Sequence, residues 1–309
     1  MLKFTLKRVF MGLVTLFIVS SLTFVLMEAV PGDPFQKEGK MSEAVYENLK
    51  AQYGLDKPYA QRYKMYMTNV LKGDFGKSMK NQTETVNEMI SRGAPVSFKI
   101  GIMAFILSMV MGIALGSVAA LYQNKAMDYI AMMLAIVGIS IPSFVMATIM
   151  IQFVAKNVSF LPIGGWGSFK HMILPVVTLS FMPMASTARL MRSSMLEVLN
   201  QDYIKTARSK GISSFAVVVK HGIRNAILPI ISQMGTTITG LLTGSFIVEK
   251  IFGVPGLGSF FIQSIVDRDY TLIMGITVFY SIILISMLLI VDILYVVIDP
   301  RIKLTGGRE

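Results

Sequence analysis

The run IGIMAFILSMVMGIALGSVAALYQ, from Ile100 to Gln123, decides the fold. It holds 24 residues and no charge. At 1.5 Å per residue, a helix of that length crosses the hydrocarbon core of a bilayer. Helices apolar on every side belong in a membrane or deep in a large core. Working outward, five more such runs follow the same logic. Val9 to Met27 comes after Lys3, Lys7 and Arg8, and no small-x-small cleavage site follows it, so it reads as an uncleaved anchor. Tyr129 to Ala155 is uncharged. Met172 to Ala188 is short and carries Pro175 and Pro183. Asn225 to Val248 is the fifth span, and Tyr270 to Val291, continuing past Asp292 to Ile298, is the sixth. The sequence therefore predicts an all-α membrane protein with six transmembrane helices and both termini on one side.

Composition agrees. Of 309 residues, 53% are hydrophobic and 15% charged, against about 25% charged in soluble domains. Mean hydropathy is +0.62. The net charge of +11 is explained by topology rather than by nucleic acid. Fourteen Lys and Arg lie in the N-terminus, at Lys125, in the loop 189–224 and in the tail; four lie in the short loops opposite. The remaining 11 lie in the segment 31–99, which is long enough to be translocated despite its charge, so the side with fourteen is cytoplasmic by the positive-inside rule. That places both termini, and the 189–224 loop, in the cytoplasm.

The two sizeable loops carry helix punctuation. In the outer segment 31–99, Ser42 opens a helix that stops at Gly54, and Pro58 opens one that stops at Gly73. Tyr59, Tyr63, Tyr66, Met67, Val70 and Leu71 recur there at helical spacing. Thr85 and Glu88 read as a capping box ahead of Gly93 and Pro95. This segment is either a helical cap on the outer ends of the spans or a docking surface for an external partner. In the cytoplasmic loop, a helical run from Arg189 through Arg208 reaches Gly211, and Ser213 or Ser214 caps a second short helix. Such a loop is either functional or a basic anchor on anionic lipid.

Inside the spans, Gly112-x-x-x-Gly116 and Gly240-x-x-x-Gly244 permit close helix approach. Pro142 is expected to kink the third span. Thr236, Thr237, Thr239, Thr243 and Ser245 give the fifth span hydroxyls that bond across helices or line a wet path. Chemistry of its own is missing. The chain has no Cys. Its nearest approach to a phosphate-binding loop, Gly76-Lys77-Ser78, needs a Gly where Leu71 stands. The span interiors lack acids, and His171 and His221 lie far apart. The chain reads as a passage without a motor.

The motifs taken in order resemble the B-type permease subunit of bacterial ABC importers for peptides, the dipeptide, oligopeptide and nickel group. They run from Lys7-Arg8 and PGDP (31–34) through YGLDKP (53–58), GDFG (73–76), SIPSF (140–144) and ARLMRSSMLE (188–197). DYIKTARSKG (202–211), HGIRNAILP (221–229), FGVPGLG (252–258), RDY (268–270) and DPR (299–301) complete the set. The resemblance implies a type I ABC importer permease fold with a small helical extracytoplasmic insertion. It implies a first span over 1–30, an outer segment over 31–95, a permease core over 96–300 containing the coupling loop 189–224, and a tail over 301–309. It implies that Lys205, Thr206, Ala207, Arg208, Ser209, Lys210 and Gly211 couple the chain to an ATPase. The signature acid of that loop is replaced by Lys205. Implied partners are a second paralogous permease, two cytosolic ATPases that carry ATP and Mg, an extracytoplasmic peptide-binding protein and membrane lipid. Nickel or another small solute is the alternative cargo, and a transporter that works without an ATPase is the alternative to the importer itself. No cofactor is expected on this chain, and the hydroxyls of the fifth span are expected along the path.

Overall fold

A computed structural model describes residues 2–30, 34–35, 42–213, 216–243 and 245–298. Gly32, Asp33, Ser214, Gly244, the DPR motif and the tail lie outside the described residues, as do the side chains of Arg208 and Thr243. Among the described residues the secondary structure is helical, apart from an isolated bridge between Lys77 and Thr85.

Four helices are long and apolar enough to cross a membrane: α1 (Leu2–Ala29), α4 (Val86–Leu121), α7 (Phe169–Leu199) and α13 (Tyr270–Ile298). Two bent pairs bring the number of crossings to six if each counts as one. The first is α5 (Ala126–Ser140) with α6 (Ser143–Ile149), the latter continued by a π-helical turn over Met150–Ala155. The second is α9 (Val217–Ala226) with α10 (Leu228–Thr243) and α11 (Phe246–Ile251). Short helices α2 (Glu43–Gln52) and α3 (Tyr59–Leu71) precede α4, α8 (Asp202–Ser209) follows α7, and α12 (Leu257–Asp267) precedes α13. Apolar side chains on α5 such as Ile130, Met133, Leu134 and Ile136 are more than half exposed, which suits acyl chains rather than water.

The chain divides into two compact units. One is Met1–Pro95 with Gly256–Glu309. There α1 lies along α13, with Gly12 where a Cβ would meet Ile285 at 2.7 Å. Phe24 of α1 is 4% exposed and sits among the rings of Tyr59, Tyr63 and Tyr66, with centroids 5.4 to 5.5 Å apart. An Arg62–Glu28 ion pair and a 2.6 Å bond between Ser21 and Tyr63 tie α3 to α1 as well. Leu71 breaks from the expected stripe and is 84% exposed.

The same unit contains a knot built from GDFG, the following serine and RDY. The Asn87 side chain donates to Gly73 O at 2.6 Å and accepts from Phe75 N at 2.9 Å. The buried Asp269 caps α13, accepting from Leu272 N at 3.0 Å. It also accepts from Met79 N at 3.1 Å and from the Ser78 hydroxyl. One carboxylate thus fixes a helix start and a turn 190 residues away. Tyr53 donates to Ser78 O at 2.7 Å; burial, then the Asp269 charge, pushes its hydroxyl pKa above the ordinary value. The capping box forms reciprocally: Thr85 N donates to Glu88 Oε2 at 2.8 Å, and Glu88 N to Thr85 Oγ1 at 3.2 Å.

The other unit is Val96–Pro255. The two glycines of α4 let it approach α7 closely. A Cβ on Gly112 would lie 2.7 Å from Thr187 Cβ, and one on Gly116 would strike Ala188 O and Met191. Gly138 of α5 meets Ala185 of α7 in the same way, at 2.9 Å. Asp128, 2% exposed, takes a two-pronged bond from Arg192 at 2.5 and 2.6 Å. FGVPGLG begins as a helix stop: Gly253 takes φ +61°, and Val254 N closes on Glu249 O at 2.9 Å.

Four expectations are corrected. The helix carrying the second span starts at Val86 and passes through Gly93 and Pro95 without stopping. Pro142 does more than kink the third span: α5 and α6 turn through 110°. Pro142 lacks an N–H, and the residue before it, Ile141, is extended. The run from Arg189 to Arg208 is two helices broken at Asn200–Gln201. Gly240 has nothing within 4 Å of a built Cβ among the described residues, so it makes no close helix contact with them.

Candidate functional site

The connection between α7 and α10 is built around a small apolar cluster. In α8, Ile204 is fully buried and Ala207 is 7% exposed; both pack on Val217 of α9 and on Leu199 of α7. Spacing of three residues puts Ile204 and Ala207 on one face of α8. That leaves Tyr203, Thr206 and Lys210 turned outward, with Lys205 and Ser209 beside them. Tyr203 is 45% and Ile212 is 37% exposed.

The ends of α8 are closed locally. Thr206 Oγ1 donates to Asp202 O at 3.0 Å, Lys205 Nζ meets Asp202 Oδ1 at 2.9 Å, and Ser209 Oγ donates to Lys205 O at 3.1 Å. Gly211 takes φ +76°, and Ile212 N reaches back to Ala207 O at 3.3 Å. That is a Schellman stop, and its left-handed residue favours glycine. Ser213 Oγ then accepts from Ala216 N at 3.3 Å and opens α9. Of the seven residues expected to couple, Ala207 points inward and holds the helix in place. Lys205, Thr206, Ser209 and Lys210 are exposed, Gly211 sets the turn, and Arg208 is described by its backbone alone. Tyr203 and Ile212 were not singled out by sequence reasoning. The sequence around them carries other apolar residues such as Ile204 and Val217, so only the burial of those partners shows that Tyr203 and Ile212 are the ones left outside.

The hydroxyls of the fifth span do not share one face. Thr236 is exposed and Thr237 half-buried, and both donate to Gln233 O, at 2.9 and 3.0 Å. Thr239 is buried and donates to Gly235 O at 2.8 Å. Ser245 is buried beside α11 and donates to the Glu249 carboxylate. Of Thr243 only the backbone is described. Pro229, Gln233, Thr236 and Gly240 form the exposed stripe of α10. Ser186, Arg189 and Ser193 of α7 join Gln233 around a cleft of about 320 Å³. Sequence reasoning used Arg189 as a topological charge, as the start of a helical run and within a motif, and gave it no contact of its own. Among the described residues no group of three or more His, Asp or Glu is placed to hold a metal ion.

Comparisons with known proteins bear on the whole chain. Residues 112–304 match the family described as binding-protein-dependent transport system inner membrane component, and residues 1–100 match the N-terminal region described for such membrane components. A dipeptide transport system permease protein, DppB of Bacillus subtilis (strain 168), is 49% identical over 98% of this chain and 99% of its own length. An oligopeptide transport system permease protein, OppB of Haemophilus influenzae, is 42% identical over 98% of this chain and all of its own length. Among solved structures, the MetNI methionine ABC transporter in an inward-facing conformation gives a TM-score of 0.59 at 17% identity. It covers 68% of this chain and 96% of that one. An amino acid ABC transporter crystallised with histidines gives 0.54 at 18% identity, over 68% and 94%. At such identities the likeness is one of fold.

Proposed function

The chain belongs to the binding-protein-dependent transport system inner membrane component family, and from that premise we propose that it is the permease subunit of an ATP-driven peptide importer. Its cargo is dipeptides or oligopeptides, as the names of its relatives suggest. It forms the path with a second permease subunit. Two cytosolic ATPases bind ATP and Mg and engage the chain from inside the cell. A peptide-binding protein delivers cargo from outside. The termini and α8 face the cytoplasm, as the Lys and Arg distribution argues. The chain itself makes and breaks no covalent bond.

The observation that carries the reading is α8. A short helix clamped by Ile204 and Ala207 moves with α7 and α9, because packed elements shift as units. Its outward face offers Tyr203 and Thr206, and the turn after it Lys210 and Ile212, to an ATPase. When the ATPases close on ATP, they swing α8, and α7 and α10 carry the motion into the membrane. Thr236 and Thr237, beside Gln233, present polar atoms along the path, where an unpaired peptide backbone would be costly to dehydrate. Thr239 and Ser245 support the helices from within, and Thr243 continues the backbone between them.

The test is reconstitution. Vesicles holding this chain, its permease partner and both ATPases are expected to accumulate peptide only with the binding protein outside and ATP on the ATPase side. Accumulation by this chain alone, or ATP hydrolysis by it alone, overturns the reading.

A further inference from the structure

The α7 helix carries two guanidinium groups one turn apart, and they differ in kind. Arg192 is spent: its two-pronged bond to the buried Asp128 neutralises both charges. Arg189 lies three residues earlier, about 4.5 Å along the axis. It is exposed, and no carboxylate or other acceptor among the described residues is bonded to it. Positive charges at membrane edges usually serve topology, and both arginines count towards it. Of the two only Arg189 has its fork unbonded among the described residues, and it lines the cleft between α7 and α10, which Arg192 also reaches, together with Ser186 and Gln233. Neither of those side chains has a hydrogen-bond partner among the described residues. Ser193, on the same rim, already donates to Leu190 O at 2.9 Å, which leaves its lone pairs available.

The cleft is therefore rich in unused donors. Arg189 brings a planar fork of five N–H groups, the Gln233 amide two more and Ser186 one. That inventory matches an oxygen anion with two equivalent oxygens, which a guanidinium binds bidentately. Gln233 also anchors the exposed stripe of α10, since its carbonyl takes the Thr236 and Thr237 hydroxyls.

We propose that Arg189, with Gln233 and Ser186, binds the terminal α-carboxylate of a peptide passing along the α7–α10 face. This rests on the permease reading above. Every linear peptide with a free C-terminus presents one such group whatever its sequence, so a single fixed cation reads it without restricting side chains. A site on α7 also sits on the helix that α8 moves, so the carboxylate is held or released as α7 shifts.

The experiment uses vesicles with the complete importer and its binding protein. Uptake of one tripeptide is compared as free acid and as C-terminal amide, in wild type and in Arg189→Gln. The binding protein is the same throughout, so its own preference cancels in the ratio of ratios. The expected result is a fall of about tenfold in the acid-over-amide preference, with complex assembly and ATP hydrolysis retained. Arg189→Lys, which keeps the charge and loses the fork, is expected to keep part of the preference. If acid and amide lose uptake equally, Arg189 pairs with a neighbouring subunit and the proposal fails. An unchanged preference in both variants also overturns it. If Arg189→Gln does not assemble, Arg189→Lys decides the matter by a reduced or an unreduced preference. A wild-type complex that moves neither peptide under ATP refutes the permease reading instead, and this proposal with it.

Discussion

Substitutions at Gly211 read the α8 stop directly. The residue sits at φ +76°, and among the described residues a Cβ built on it meets nothing within 4 Å. The effect of Gly211→Ala is therefore set by the left-handed backbone, at about 1–2 kcal/mol. With tenfold per 1.4 kcal/mol, that depletes the closed α8 stop by about five- to thirtyfold relative to frayed forms. Asn tolerates the left-handed region better, so Gly211→Asn is expected to lie between wild type and Ala. Pro holds φ near −65° and abolishes the stop. The assay measures peptide uptake and ATP hydrolysis in the same vesicles. The ATP spent per peptide is expected to rise in the order Gly, Asn, Ala, Pro, while membrane insertion is unaffected. A flat series, or an Asn variant worse than Ala, would refute the reasoning that the turn at Gly211 holds the coupling helix.

Other predictions follow from the packing. Gly112→Leu drives a side chain into Thr187 and the Met184 carbonyl, 2.7 and 2.8 Å from a built Cβ; an overpacking loss of about 1–3 kcal/mol is expected as a lower Tm of the purified protein. Arg192→Ala strands the carboxylate of Asp128, which is 2% exposed. A loss of about 3 kcal/mol is expected, with much of it recovered when Asp128→Asn is added; a double variant no more stable than the single one argues against the pair. Tyr53, whose hydroxyl pKa is raised by burial and then by Asp269, contributes stability that is present below its unfolded pKa of about 10 and is lost as pH rises through the folded value. Melting curves between pH 8 and 11 are expected to fall more steeply above pH 10 for wild type than for Tyr53→Phe.

The sequence alone determined that this is an all-α membrane chain, and it located the apolar helices, because an uncharged run of some 20 residues has few other homes. It also located local devices whose partners are near neighbours in the chain: the Thr85–Glu88 box, and glycines at helix ends such as Gly54, Gly73 and Gly211. The tertiary structure decided what depends on distant neighbours. Ala207 turns inward because Val217 waits there, Asp269 holds the turn at Ser78 from the far end of the chain, and Pro142 breaks a span by 110° rather than bending it. The same holds for Arg189 and Gln233, which share a cleft across two helices, and for Thr239, buried where Thr236 is exposed. In a membrane, lipid and protein interior are equally apolar, so hydropathy marks a span without saying which of its faces meets a neighbour. That choice belongs to close packing and to the placement of the few polar groups, and neither is visible until the helices are brought together.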